Sequence, residues 1–226
     1  MHRTIEPSIL YVGTPVMLVS SQNPDGSANL APISSFWFLG WTAMLGFDAS
    51  SRTPANLRRT GECVLNLPSS EQVDAVDRLA LLTGRPDVPL HKRYLGYRYE
   101  PQKFERAGLH PLASESVRAP RVSECPIQLE ATLTSVHALG REDPRMSVPA
   151  VAVEVRVRRV HVEERLLVDG EPNRIDPERW HPLLMSFRQF YGRGSRLQAS
   201  RLAECPESRY APPGAQLRSA LRSLLR

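Results

Sequence analysis

Hydrophobic and polar positions alternate with period two over long stretches of this chain. "CPIQLEATLTSVHAL" (125–139) and "VPAVAVEVRVRRVHV" (148–162) are the clearest cases. Both predict long antiparallel strands, joined by the polar loop "GREDPRMS". In the second strand Val151, Val153, Val155 and Val157 fall on one face, with Arg156 and Arg158 on the other. Near the N-terminus the run Val16 to Ser20 and the run from Ala28 flank "QNPDG", a strong turn signal, and "WTAMLGFDA" (41–49) makes a third strand. The first fifty residues thus predict an antiparallel meander. "CVLNLP" (63–68) is almost wholly apolar, as a central strand would be.

The period changes twice. In "SSRTPANLRRTGE", Thr53 suits an N-cap, Pro54 the first helical position and Gly61 a C-cap, which predicts a short helix. "SSEQVDAVDRLALLTG" (69–84) carries an apolar stripe, a capping box at Ser69 and Gln72, and Gly84 at its end, predicting an amphipathic helix. Residues 85–121 are irregular, with a helical piece near "QKFERAG"; a loop this long in a compact domain is usually functional or mobile. The tail "PPGAQLRSALRSLLR" predicts a short basic helix, giving a domain over 1–205 and a tail over 206–226. Antiparallel strands with helical excursions predict a mainly β (α+β) fold, with a barrel plausible because it removes sheet edges.

Composition narrows the function classes. The chain has 226 residues, 41% of them hydrophobic, enough for one sizeable core. A net charge of +5 and a pI near 9.4 favour anionic small molecules without requiring nucleic acid. The three cysteines form no C-x-x-C pair, and the N-terminus is not a basic-then-apolar leader. The expectation is a soluble cytoplasmic protein with free thiols and no membrane association. The six histidines show no metal-binding spacing, and no G-x-S-x-G, G-x-G-x-x-G or Walker pattern occurs.

Three stretches could carry chemistry. "SSRTP" (50–54) places hydroxyls and an arginine before a helix start, where unpaired N–H groups suit phosphate; taken alone, ordinary capping by Thr53 with Ser50 and Ser51 as turn residues is the simpler account. "NLAPISSFW" (29–37) combines an edge-type Pro32 with Asn29, Ser34 and Ser35 and a wall of Phe36 or Trp37. It could hold a flat heteroaromatic ligand, or be an edge strand with Trp37 in the core. "HPLLMSFRQFYGRG" (181–194) is aromatic and basic, with Gly192 and Gly194 permitting a tight turn.

Taken in order with "KFERAGLHPLASESVRAPRVSECPIQLEATL", these segments resemble the flavin reductase-like, FMN-binding split-barrel family over roughly residues 10–200. The resemblance implies a six-stranded antiparallel Greek-key barrel with flanking helices, usually a homodimer with FMN near the subunit interface. By position it implies Asn29, Pro32, Ile33, Ser34, Ser35, Phe36 and Trp37 near the ring and ribityl chain. It implies Ser50, Ser51, Arg52 and Thr53 at the phosphate with Asn56 behind, Lys103 reaching the flavin, and Phe190 and Tyr191 close by. The implied activity is NADH- or NADPH-dependent flavin reduction, with electrons passed to free flavin, an oxygenase or another acceptor. Electron carriers and FMN enzymes with their own organic substrate are the alternatives. No protein acid or base is needed for such chemistry, so no catalytic residue is assigned. The sequence departs from many members in having "LGWTAML" for a "DPP" segment. It also has "RMSVP" where many carry a histidine before the strand that begins near Val148.

Overall fold

A computed structural model describes residues 1–204 except Tyr11 and Ser147. The sequence-predicted C-terminal helix and Cys205 lie outside the described residues. Residues 1–193 form one compact unit; residues 194–204 are exposed and contain a 3-10 turn at Arg201–Glu204.

The unit is organised by a seven-stranded antiparallel sheet. Its order is Ala28–Ile33, Met17–Gln22, Glu62–Leu67, Ile127–Leu139, Ala150–Val162, Thr42–Asp48, Phe36–Leu39. The two edge strands, 28–33 and 36–39, are consecutive in the chain, separated only by Ser34 and Ser35. Three peptide steps reach no more than about 11 Å, so the sheet must curl until its two edges nearly meet. The result is a barrel split along one seam. Strands 42–48, 62–67, 127–139 and 150–162 make a Greek key, because 42–48 returns to lie beside 150–162.

The sheet has seven strands rather than six, and the first fifty residues are not a meander. "NLAPISSFW" does not run as one strand: it breaks at Ser34–Ser35, so the two N-terminal hairpins sit at opposite edges of the sheet.

The barrel interior is the apolar face that the alternation predicts. Val151, Val153, Val155 and Val157 pack there with Leu45, Phe47, Leu65 and Leu129, while Arg156 and Arg158 are exposed outside. A second core lies outside the barrel wall, between Leu18 and Leu30 and the helices Val73–Asp77 and Lys103–Ala107. Strand 17–22 is therefore covered on both faces, and strand 62–67 is central as its composition predicts.

Three local expectations are corrected. Helical structure over 69–84 stops after Asp77. The capping box at Ser69 and Gln72 forms, but beyond Arg78 the backbone tightens into i→i−3 turns, and Leu82–Thr83 pairs in parallel with Arg98–Tyr99. The helix after strand 42–48 runs Arg52–Thr60 with Ser51, not Thr53, at the N-cap; Gly61 closes it at φ 69° as predicted. In the 181–194 segment the tight turn is made by Phe187 and Arg188, both at positive φ (45° and 66°). Neither Gly192 nor Gly194 is at positive φ. No helix among the described residues is long and apolar enough to cross a membrane.

Candidate functional site

The sequence-predicted site residues fall into three groups around the seam. The first is buried and polar. Asn29 Nδ2 donates to Thr53 Oγ1 (3.1 Å) and Ser21 Oγ (3.3 Å), and Asn56 Nδ2 donates to Ser21 Oγ (3.1 Å) and Asn23 Oδ1 (3.0 Å). Asn29, Thr53 and Asn56 are all buried. They tie the first turn of helix 52–60 to the hairpin 17–33 and set where its N-terminus points. Asn29 Oδ1 is buried with no hydrogen-bond donor, an acceptor that a hydroxyl-bearing ligand would satisfy.

The second group surrounds the helix start. Asp48 ends strand 42–48; its Oδ1 accepts from Ser50 N (2.7 Å) and Ser50 Oγ (2.6 Å), and its carbonyl accepts from Ser51 N (3.0 Å). Burial pushes the Asp48 carboxyl up, but the bonds from Ser50 and His91 outweigh it and hold the group below its ordinary range. Ser51 does not cap the helix with its side chain, and the first turn carries no acidic residue. The first-turn N–H groups give the helix its positive end, and the Asp48 carboxylate just before it is bonded to Ser50 and His91. Arg52 Nε donates to Gly84 O (2.9 Å).

The third group is the wall. Pro32, Ile33 and Ser34 line an apolar pocket with Val16, Met185 and Phe190. Two residues back on the same strand, Leu30 O accepts from Lys103 Nζ at 2.9 Å. Lys103 is only 4% exposed and has no carboxylate in ion-pair contact among the described residues. Desolvation, reinforced by the charge of Lys92, pulls its ammonium down to about 7 despite Glu100. Phe36 is half-buried and packs on the barrel core, while Trp37 is 57% exposed, not in the core. Ser35 sits on strand 42–48: its carbonyl accepts from Gly46 N, and a Cβ on Gly46 would stand 2.9 Å from Ser35 Cβ. Tyr191 is exposed.

Sequence reasoning missed Lys92, His91, Asp48 and Gly84. Lys92 and His91 come from the loop read as irregular, which contains the helix Leu90–Tyr94, Asp48 from the strand end before "SSRT", and Gly84 from the end of the segment read as a helix. Gly84 was legible only as a helix stop. Its backbone in fact passes so close that an added Cβ would lie 2.5 Å from Asn29 Oδ1 and 3.1 Å from Arg52 Cγ. Gly84→Ala is expected to cost about 1–3 kcal/mol by overpacking, read as a lower denaturant midpoint with unchanged slope.

The donor set fits a phosphorylated flavin. It offers a helix whose first turn carries no acidic residue, a buried ammonium with no carboxylate in ion-pair contact among the described residues, a buried orphan acceptor and an apolar wall.

Comparisons with known proteins agree with the architecture. The family model of the flavin reductase like domain matches residues 10–193. The uncharacterized protein YdfE of Bacillus subtilis (strain 168) is 36% identical over 192 residues, covering 85% of this chain and 89% of YdfE. Among solved structures, flavoredoxin of Desulfovibrio vulgaris (Miyazaki F) superposes with a TM-score of 0.71 at 20% identity, over 91% of this chain and 100% of that one. Nitrilotriacetate monooxygenase component B from Bacillus cereus gives 0.70 at 22% identity, over 88% and 100%. At these identities the two structures speak for the split-barrel fold alone.

Proposed function

We infer the function from one premise: the chain belongs to the flavin reductase-like family. We propose that it binds FMN at the barrel seam and is an NAD(P)H-dependent flavin reductase, passing electrons to free flavin or to an acceptor such as an oxygenase. The observation that carries this reading is Lys103, a buried ammonium whose one hydrogen bond among the described residues is to the Leu30 carbonyl, on the strand that also supplies the apolar wall. A group so costly to bury is retained where an anionic or electron-rich ligand completes it.

FMN, when bound, supplies the hydride and electron transfer. The chain's own residues bind and orient it. Ser50, Ser51, Arg52 and Thr53 and the first-turn N–H groups would hold the phosphate. Asn29 Oδ1 would accept from a ribityl hydroxyl. Lys103 would face the electron-rich end of the ring, with Pro32, Ile33, Ser34 and Phe190 excluding water. Asn56 acts from behind, by fixing Ser21 and through it Asn29.

We place the molecule in a homodimer. The strand pair at the 36–39 edge leaves Trp37, Leu39 and Trp41 exposed at one end of the seam, and a second copy would cover them.

One observation favours the second reading, an electron carrier with little NAD(P)H turnover. His91, His110, His137 and His161 each contact a carboxylate, of Asp48, Glu124, Glu154 and Glu130 respectively, and the segment before strand 150–162 has no histidine. Purified protein reconstituted with FMN and mixed anaerobically with NADH or NADPH separates the two. Bleaching of the flavin band within seconds is expected for the reductase, while a stable yellow protein means the carrier. Failure to bind FMN at all would remove both.

A further inference from the structure

Lys92 is as unusual as Lys103 and has no part in the function just described. It is 8% exposed, in the helix Leu90–Tyr94. Its Nζ donates to Ser51 Oγ at 2.7 Å, the very hydroxyl that would otherwise cap helix 52–60. Asp48 Oδ2 lies 3.4 Å from the same Nζ and 2.7 Å from His91 Nε2. The Tyr97 ring lies 5.8 Å from it on another side. Lys92 is near enough to Lys103 that its charge disfavours that of the Lys103 ammonium. Lys92 and Arg52 thus flank the start of one helix, and the Asp48 carboxylate beside Lys92 is shared with His91 and Ser50. Among the described residues Lys92 therefore has only a shared carboxylate beside it, at 3.4 Å, and a phosphate dianion next to Ser51 would give it a second anionic partner.

We propose that Lys92, held against Ser51 by Asp48, is a second cation of the phosphate end of the site, and that it makes the site select a flavin ending in a phosphate monoester over riboflavin and FAD. This rests on the flavin-binding reading. The monoester is a dianion near neutral pH, whereas the phosphates of FAD are diesters carrying one charge each. A charge-assisted bond from a desolvated ammonium rewards that extra charge.

The test is a titration of flavin-free protein with FMN, riboflavin and FAD, followed by flavin fluorescence. Wild type is expected to bind FMN at least about tenfold more tightly than either of the others. Lys92→Met should weaken FMN about tenfold to a hundredfold and leave riboflavin within about twofold, and Lys92→Arg should restore most of the loss. Lys92→Gln keeps a donor to Ser51 without the charge and gives the same comparison should the Met variant fail to fold. Unchanged FMN affinity in the neutral variants overturns the proposal. So does a parallel loss of riboflavin, which would make Lys92 a scaffold residue, and so does FAD binding as tight as FMN in wild type. Wild type that binds riboflavin but gains nothing from the phosphate refutes Lys92 while sparing the flavin reading. Wild type that binds no flavin refutes both.

Discussion

Lys103→Met is expected to stabilise the flavin-free protein at pH 6 while weakening its affinity for FMN. Below pH 7 the buried ammonium is charged and its desolvation cost is fully present. The folded-state value of about 7 lies below the ordinary 10.5, so between these values the unfolded chain binds a proton that the folded one does not. Stability therefore rises with pH through that window. The shift corresponds to at most about 5 kcal/mol. Methionine fills a similar volume but leaves Leu30 O without its donor, so the net gain is about 1–3 kcal/mol, several degrees in melting temperature. The gain should shrink to nothing as pH approaches 10. A melting temperature that falls at pH 6, or a gain that ignores pH, would show that Lys103 carries no such burden. Opposite signs for stability and affinity are what a residue kept for its ligand should give.

Glu130→Ala is expected to destabilise the protein by about 3–5 kcal/mol, on the order of 10 °C or more in melting temperature. Glu130 is fully buried, on the outer face of strand 127–139. It accepts from Glu115 N (2.8 Å), Ser116 N (2.6 Å) and the Ser116 hydroxyl, and His161 Nε2 lies 2.8 Å away. Alanine would orphan all of these and free the 113–119 loop from the barrel wall. Burial raises the Glu130 carboxyl, but the bonds from Ser116, Glu115 and His161 dominate and hold it at about 2. Its stabilising contribution is present above the ordinary carboxyl range and lost as pH falls from about 4.5 toward 2. Urea denaturation of wild type and variant across that range should converge at the acid end. Curves that stay parallel would place the effect elsewhere.

Much of this architecture was legible from side-chain periodicity. The long strands announce themselves because one barrel face is dry and the other wet, so alternation survives over whole strands. Helix 52–60 announces itself through Gly61 and the polar residues before it. The break at Ser34–Ser35 was hidden, because apolar residues continue on both sides and no glycine or Asn-Gly pair marks the change of edge. The end of the second helix was hidden because Leu79 and Leu82 keep helical spacing while packing in i→i−3 turns. In the site, Asn29, Thr53 and Asn56 could be named but not their mutual bonds. Lys92 and Asp48 could not be named, since their meeting depends on a loop whose path no local pattern encodes. Trp37 was ambiguous because an aromatic residue on an edge strand suits either face; its exposure decides against the core.

The position of strand 42–48 has a consequence for synthesis. Its partner beyond the local hairpin is strand 150–162, where Asp48 meets Ala150 and Thr42 meets Arg156. That is a gap of about a hundred residues, several seconds or more of translation at about 5–20 residues per second. Through that interval Ala43, Leu45 and Phe47 have no interior to enter, and the neighbouring "FWFLGW" run stands beside them uncovered. Closure must wait until the second long strand has left the ribosome, so the nascent chain should lean on holdase chaperones. Truncations ending before residue 150 should be captured by aggregation rather than accumulate as soluble half-barrels.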